Sequence, residues 1–392
     1  MITKTIKQMI RTFYPVGHGA FYRERFVLED DSIINMVYDC GARTRAGRNK
    51  ISNVIKKWDR NSINILFISH FHEDHISNLE ELINNVTFDY VVLPYLTDLD
   101  KSHIKISILR KNFEKKRRNY SLIEECFSLI DNIEDILKNK VEQVLYIVKN
   151  DEKRIDYVND RIKYIDDGDL NKYLSKIDNI FSWMFYTFVN SSDSRDRIVN
   201  EFNNEFGKID IYNSFNKIKE IYTKDNKSKL ARIYGNNKNE KSLVLYSGPI
   251  DYDYYQYVKR NKICGCINNA GCLYTGDYNA NRKYYSELEK HYKDCYKYIG
   301  LLQLPHHGSD RNFNDEFLKL NCFYVVCASD NDKKHPSKDV LYKILTNNKC
   351  LLIVTEKTKK LQLIIEKTNN RLVFNRSFCS INGCYFCDCY LD

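Results

Sequence analysis

Six consecutive residues, His70-Phe71-His72-Glu73-Asp74-His75, stand directly after the apolar run NILFIS. That run reads as a buried strand ending in a loop, where polar side chains leave the core and become available for chemistry. Alternate residues of an extended segment point the same way, so His70 and His72 can share one metal ion. The tight turn that follows can aim Asp74 and His75 at a second. Imidazoles with a carboxylate and no thiolate suit zinc or a similar divalent cation in a site that keeps positions open for water and substrate. Later strands also end in polar groups able to do chemistry: LYTGDYN carries Asp277, LLQLPHHGSD carries His306, His307 and Ser309, and FYVVCASDN leads towards His335-Pro336.

The elements that must position these groups alternate between strand and helix patterns. RTFYPVG, AFYRERFVLE and IINMVYDCG, separated by turn-like GHG and EDDS, read as a meander of antiparallel strands. A polar helix near Lys50 to Trp58, a helix from about Ser77 to Asn85 and the strand FDYVVLPY complete the first half. SLVLYSG, GCLYTGDYN, YIGLLQLPHHGSD, FYVVCASDN and CLLIVTEK read as strands of the second half, with helices near Arg282 to Tyr292, Asn314 to Leu320 and Ser337 to Leu345. Between them, about residues 97 to 239 read as a largely helical, basic insertion within a single domain spanning 1 to 392. In it Ile123, Cys126, Phe127, Ile130, Ile133, Leu137, Val141 and Val144 follow mostly three- and four-residue steps, the stripe of an amphipathic helix. FSWMFYTFV interrupts the insertion as a strand of the main sheet.

Composition narrows the class. Of 392 residues, 43% are hydrophobic and 29% charged, too apolar for a disordered chain and too polar for a membrane protein. No apolar stretch is long enough to span a bilayer, and the N-terminus lacks a secretion signal, so a cytoplasmic protein is expected. The net charge is +9, and residues 101 to 120 alone carry +7, which welcomes an anionic partner such as nucleic acid. Thirteen cysteines do not read as a disulfide framework, since Cys126 and Cys327 sit in apolar runs. Cys379, Cys384, Cys387 and Cys389 suit alternating positions on terminal hairpin strands around Asn382-Gly383, or, with a second group of Cys264, Cys266 and Cys272, a structural zinc.

The hexad resembles that of the metallo-β-lactamase superfamily. In that family an aspartate closes an early strand, and Asp39 in VYDCG matches it, which implies a residue that orients the ligands. A later aspartate bridges two metals, and Asp277 matches it. A last histidine follows another strand, where both His306 and His307 stand. The set VGHGA (Val16 to Ala20), DCG, HFHEDH, Asn239-x-x-Ser242 before LVLY, TGD, PHHGS and His335-Pro336 further resembles the hydrolase domain of the ComEC DNA-uptake proteins and their stand-alone relatives. His18 replaces a glutamine of those relatives and Ala20 an aspartate. The resemblance covers about residues 10 to 95 and 235 to 355.

It implies a mixed α/β fold, the four-layer αββα sandwich. His70, His72, Asp74, His75, Asp277 and His306 or His307 would hold two divalent metal ions, Zn2+ foremost, with Mn2+ admitted by an open first site. His103, the sole histidine between the hexad and Asp277, lies in the basic stretch away from any strand end. Two such ions would acidify a bridging water and hold the hydroxide for in-line attack. Asp74 would orient it. His335 would donate a proton to a leaving oxygen or bind phosphate, unless it is an exposed loop histidine. His18, at the rim of the site, and Ser309 are candidate substrate contacts. So are Lys115, Arg117 and Arg118 of the basic run, which otherwise reads as a solvated helix face. His291, on a Lys- and Tyr-rich helix, reads as solvated. The expected activity is hydrolysis of a phosphodiester in DNA or RNA. The alternatives are a small phosphodiester, thioester or lactone in the same pocket, or a metal-stabilised sensor. No membrane contact is expected, and protein partners and homo-oligomer formation stay open.

Overall fold

Three successive apolar runs broken by turns build β1 (Ile6–Phe13), β2 (Gly19–Leu28) and β3 (Ile33–Ala42), paired antiparallel in that order. The computed structural model describes residues 5–59, 61–114, 120–149, 160–177, 183–190, 195–207, 226–234, 241–249, 254–258 and 269–367. After β3, Thr44 caps α1 (Arg45–Ile55) by accepting the Gly47 N–H through Oγ1 at 3.0 Å. The chain then returns as β4 (Ser62–Phe67), parallel to β3, followed by α2 (Glu73–Ile76), α3 (Leu79–Asn85) and β5 (Phe88–Pro94).

The interval expected to be largely helical is more mixed. It holds α4 (Asp98–Glu114), α5 (Tyr120–Leu137), α6 (Arg195–Phe206) and a helix over Asn226–Tyr234, but also β6 (Val141–Val148), β7 (Ile162–Asp166) and β8 (Trp183–Val189). Val141 and Val144 therefore do not continue the amphipathic helix. The polar turn Lys138-Asn139-Lys140 ends it, and the β-branched run that follows adds to β5 as a parallel strand. FSWMFYTFV does supply a strand, β8.

The second half contributes β9 (Leu243–Pro249), β10 (Tyr254–Val258), β11 (Gly271–Tyr274), β12 (Ile299–Gln303), β13 (Phe323–Cys327), β14 (Leu351–Val354) and β15 (Leu361–Lys367). Helices span Arg282–His291 and Lys338–Thr346, while the helix expected near Asn314 is a short 3-10 turn, Asp315–Lys319. Among the described residues the strands form two sheets, ordered β10-β15-β1-β2-β3-β4-β5-β6-β7 and β14-β13-β12-β11-β9-β8. Because side chains alternate along a strand, Met36, Ile65 and Phe67 meet Leu245, Leu301 and Val325 between the sheets. Val37, Leu66 and Val91 face the helices outside the first sheet, and Val244, Leu302 and Val326 those outside the second. The result is the mixed α/β sandwich of two sheets with helices on both outer faces. None of the described helices is long and apolar enough to cross a membrane.

Charge is buried between the sheets. Arg11 on β1 and Glu24 on β2 have fully buried side chains and pair at 2.6 Å. Arg11 also donates to Gln256 at 3.0 Å, to the Ala270 carbonyl at 3.1 Å and to the Ser247 carbonyl at 3.3 Å. Glu24 accepts the hydroxyls of Tyr274, at 2.8 Å, and Ser247. Gln256 on β10 belongs to the same sheet as the pair, whereas Ser247 on β9, Ala270 beside β11 and Tyr274 on β11 belong to the other, so this network joins the two sheets. Arg11→Met should cost about 3–5 kcal/mol in urea unfolding, because Glu24 is left buried without its cation. Arg11→Met combined with Glu24→Leu should cost less than the two single changes added together.

Candidate metal centre

The candidate residues gather at the carboxyl ends of parallel strands, where such sheets present their side chains to ligands. Asp39 ends β3, Ser69 to His75 follow β4, Asp277 follows β11, His306 and His307 follow β12, and His335 lies beyond β13. The two sheets are tied together at this edge by the Leu243 N–H, which donates to the Ser69 carbonyl at 2.8 Å, while within the second sheet the His306 N–H donates to the Gly276 carbonyl at 2.9 Å. Gln303 Oε1 accepts the N–H groups of Thr275 and Gly276 at 2.8 and 2.9 Å, which fixes the turn carrying Asp277.

The hexad is held by Asp39. Its carboxylate accepts the Ser69 N–H at 2.7 Å and the Ser69 hydroxyl at 2.6 Å, and lies 2.7 Å from His75 Nδ1. That contact turns His75 Nε2 inward, where it lies 3.3 Å from Asp277 Oδ1. Gly41 allows α2 to rest directly on β3, since a Cβ there would stand 2.6 Å from the backbone of His75 and Ile76. Asp39, His306 and His307 all take left-handed backbone conformations, with φ of 60°, 47° and 54°. Such strain in non-glycine residues persists only where surrounding contacts enforce it.

Among the described residues two clusters result, each with ligand atoms within 4.8 Å of one another: His70, His75 and Asp277, and His18, Asp74 and His307. This division differs from the expected one, in which His70 paired with His72 and Asp74 with His75. The cause is the turn at His72, whose extended backbone caps α2. It sends His72 Nε2 to Ser107 Oγ on α4, at 3.3 Å, while its ring stays 4.7 Å from that of His70. His306 and His307 divide their reach: His306 Nε2 is 3.6 Å from Asp277, and His307 Nε2 is 3.3 Å from Asp74. The Cys327 carbonyl, 2.8 Å from His307 Nδ1, requires that nitrogen to carry the proton and leaves Nε2 as the lone-pair side.

His18 is a correction. It is not at the rim but 4% exposed inside the second cluster, its ring 4.1 Å from that of His307. The left-handed Gly17 turns the loop inward, and the Arg43 N–H holds the His18 carbonyl at 3.0 Å. His291 is another: it is not solvated, but lies with Nε2 2.8 Å from the Thr187 carbonyl and its ring stacked on Tyr186. His335 is partly exposed and stacks on His306 with centroids 5.4 Å apart. Ser309 is buried, and its carbonyl accepts the N–H groups of Asn312 and Phe313, which organises the turn. His103 is buried on α4 and belongs to neither cluster. Lys115, Arg117 and Arg118 lie outside the described residues, as do Cys264, Cys266, Cys379, Cys384, Cys387 and Cys389. Cys272 is buried on β11.

Two further groups enter the site that motif reading passes over. Arg43 brings a guanidinium nitrogen to 3.2 Å from Asp74, and Asp332 accepts His18 Nδ1 at 3.0 Å. Arg43 follows DCGA directly, and Asp332 precedes His335 by three residues, so proximity to known motifs was the only available signal. Burial alone would raise the Asp74 carboxyl, but Arg43 and the neighbouring histidines hold it well below the usual range. Asp277 is likewise held low against burial, by His306, His70 and His75. Burial opposes a charged His75, yet Asp39 and Asp277 on either side push it up to about 10. His18 goes down to about 4 through burial and its closeness to His307 and Arg43.

The residues present fit metal ions. Nε2 of His18, His70 and His75 and Oδ1 of Asp277 are buried without a hydrogen-bond partner, an expensive state that a cation would relieve. Residues 28–98 match the Metallo-beta-lactamase superfamily. The superfamily match takes in Asp39 and the whole hexad, and the two-sheet sandwich is consistent with a metallo-beta-lactamase fold. Among solved structures, the chain is similar to a long form RNase Z from yeast, at 13% identity and a TM-score of 0.29, covering 89% of this chain and 37% of that one. The chain thus corresponds to well under two thirds of that protein's length. No curated protein sequence matches it. The superfamily match and the two clusters support a metal-binding hydrolase. Asp39→Asn should weaken metal affinity about 10–100-fold, as changes behind ligating histidines do, while leaving the fold intact by circular dichroism.

Proposed function

We propose that this chain hydrolyses phosphodiester bonds in DNA or RNA with two divalent cations, zinc or manganese, and that it stands nearest the ComEC-like hydrolases. The observation that carries the reading is a permanent cation, Arg43, lodged beside two adjacent carboxylate-histidine clusters. A guanidinium in that position favours an anionic substrate and matches the fork of phosphate oxygens.

His70, His75 and Asp277 would hold one ion, with His306 and His72 close by, and Asp74, His307 and His18 the other. When bound, such ions supply Lewis acidity and bring the pKa of water down towards neutrality. Asp39 orients His75 and so fixes the donor geometry. Asp332 orients His18, and His335 stands over His306, where its ring can meet a substrate oxygen. Ser107 brings α4 against His72, which gives the interval after Thr97 a part in shaping the site.

The test is cleavage of end-labelled single- and double-stranded DNA and RNA by stripped protein reloaded with zinc or manganese. Cleavage should depend on metal and vanish in Asp277→Ala. Arg43→Ala should retain metal uptake but lose about 10²-fold or more in kcat/KM, the usual cost of removing one donor that stabilises developing charge. Full metal uptake with no cleavage of any of these substrates would overturn the nuclease reading and favour a small-molecule substrate.

A further inference from the structure

Two loops beside the site that motif reading did not select carry exposed lysines, Lys333 and Lys334 on one and Lys359 and Lys360 on the other. We propose that the loops after β13 and β14 form a docking surface for the phosphodiester backbone of a nucleic-acid strand, leading it to the metal centre. The proposal rests on the hydrolase reading above and adds where the substrate's remaining phosphates bind.

β13 and β14 are parallel neighbours, so the loops at their carboxyl ends lie side by side. They are bonded to each other: Ser329 Oγ donates to Glu356 at 2.7 Å, the Asp330 N–H donates to Glu356 at 3.2 Å, and Lys357 pairs with Asp330 at 3.4 Å. The first loop also carries His335, whose ring stacks on His306, so the loop reaches the site itself.

The acidic groups of both loops are turned inward. Glu356 is occupied by Ser329 and Asp330, and its carbonyl accepts Lys50 Nζ at 2.6 Å. Asp332 faces His18 and accepts the N–H groups of Lys334 and His335 at 2.9 and 3.3 Å. Lys333, Lys334, Lys359 and Lys360 are all exposed, and none of them is paired with a carboxylate among the described residues. Carboxylates sequestered within and ammonium groups presented outward make a rigid cationic ledge. A ledge of that kind attracts a polyanion through counterion release, without regard to base sequence.

Exposed lysines elsewhere provide the comparison. Lys56 and Lys57 follow α1, and Lys290 and Lys293 lie at the end of the helix over Arg282–His291. Both helices run back from the site towards the amino ends of the strands that follow them, so these lysines stand at the opposite edge of the sheets.

The experiment measures binding of a fluorescein-labelled single strand of roughly 20 nucleotides, phosphorothioate-linked to resist cleavage, to the metal-loaded full chain across a salt series. One variant changes Lys333, Lys334, Lys359 and Lys360 to Gln, and a control of equal charge changes Lys56, Lys57, Lys290 and Lys293 to Gln. Thermal unfolding and metal content verify that both fold. The ledge variant should bind at least about tenfold more weakly at 0.15 M salt, with the slope of log K against log salt reduced by about two to three units, near 0.7 per lost phosphate contact. The control should keep the wild-type slope. An equal loss in both variants, or an unchanged slope in the ledge variant while Lys115, Arg117 and Arg118 changed to Gln reduce it, overturns the proposal and leaves the hydrolase reading standing. Failure of the wild-type chain to bind any strand overturns both.

Discussion

Apolar faces can slide across one another, because the hydrophobic effect has no direction. A site assembled from two sheets cannot tolerate that freedom. In this protein the buried Arg11–Glu24 pair removes it: the guanidinium spends its donors on Glu24 and Gln256 in its own sheet and on Ala270 and Ser247 across the sandwich. Any displacement of one sheet against the other would leave charge unsatisfied in the interior, where water cannot replace the lost partner. The hydrogen bonds at the site edge, from Leu243 to Ser69 and from His306 to Gly276, then act on sheets whose relative position is already defined.

Within that frame the centre concentrates features that folding alone would avoid. Left-handed backbone at Asp39, His306 and His307 and buried, unpartnered imidazole nitrogens are each unfavourable. They lie together at one edge, and each is enforced by a specific contact: Ser69 on Asp39, Gly276 on His306 and Cys327 on His307. Arg43 offsets part of the charge that Asp74 brings into the interior, so the second cluster is electrostatically unlike the first.

The hexad, the strand ends and most strands were legible because period-two apolar runs and abrupt polar stops are local signals. The boundary between α5 and β6 was not, since Val141 and Val144 extend a helical stripe and also begin a strand. Burial against β5, a contact distant in sequence, decides between them. His18 reads as a rim residue until Gly17 turns it inward, and His291 reads as solvated until Tyr186 from a distant strand covers it. Arg43 and Asp332 carried no pattern of their own. Their roles arise from tertiary proximity to Asp74 and His18, which spacing along a chain does not encode.

The strand order also has a consequence for synthesis. β1 lies between β2 and β15, so residues near Met9 wait for residues near Ile365 before one side of the strand is paired. At translation rates of about 5–20 residues per second, that edge stays open on the ribosome for roughly twenty seconds to a minute. An unpaired edge is a template for unwanted pairing, and β1 presents one throughout elongation. The same arrangement acts as a safeguard. The clusters need Asp277 and His307, and the first sheet needs β15, so a nascent chain cannot assemble the centre before nearly all of its described length has been made.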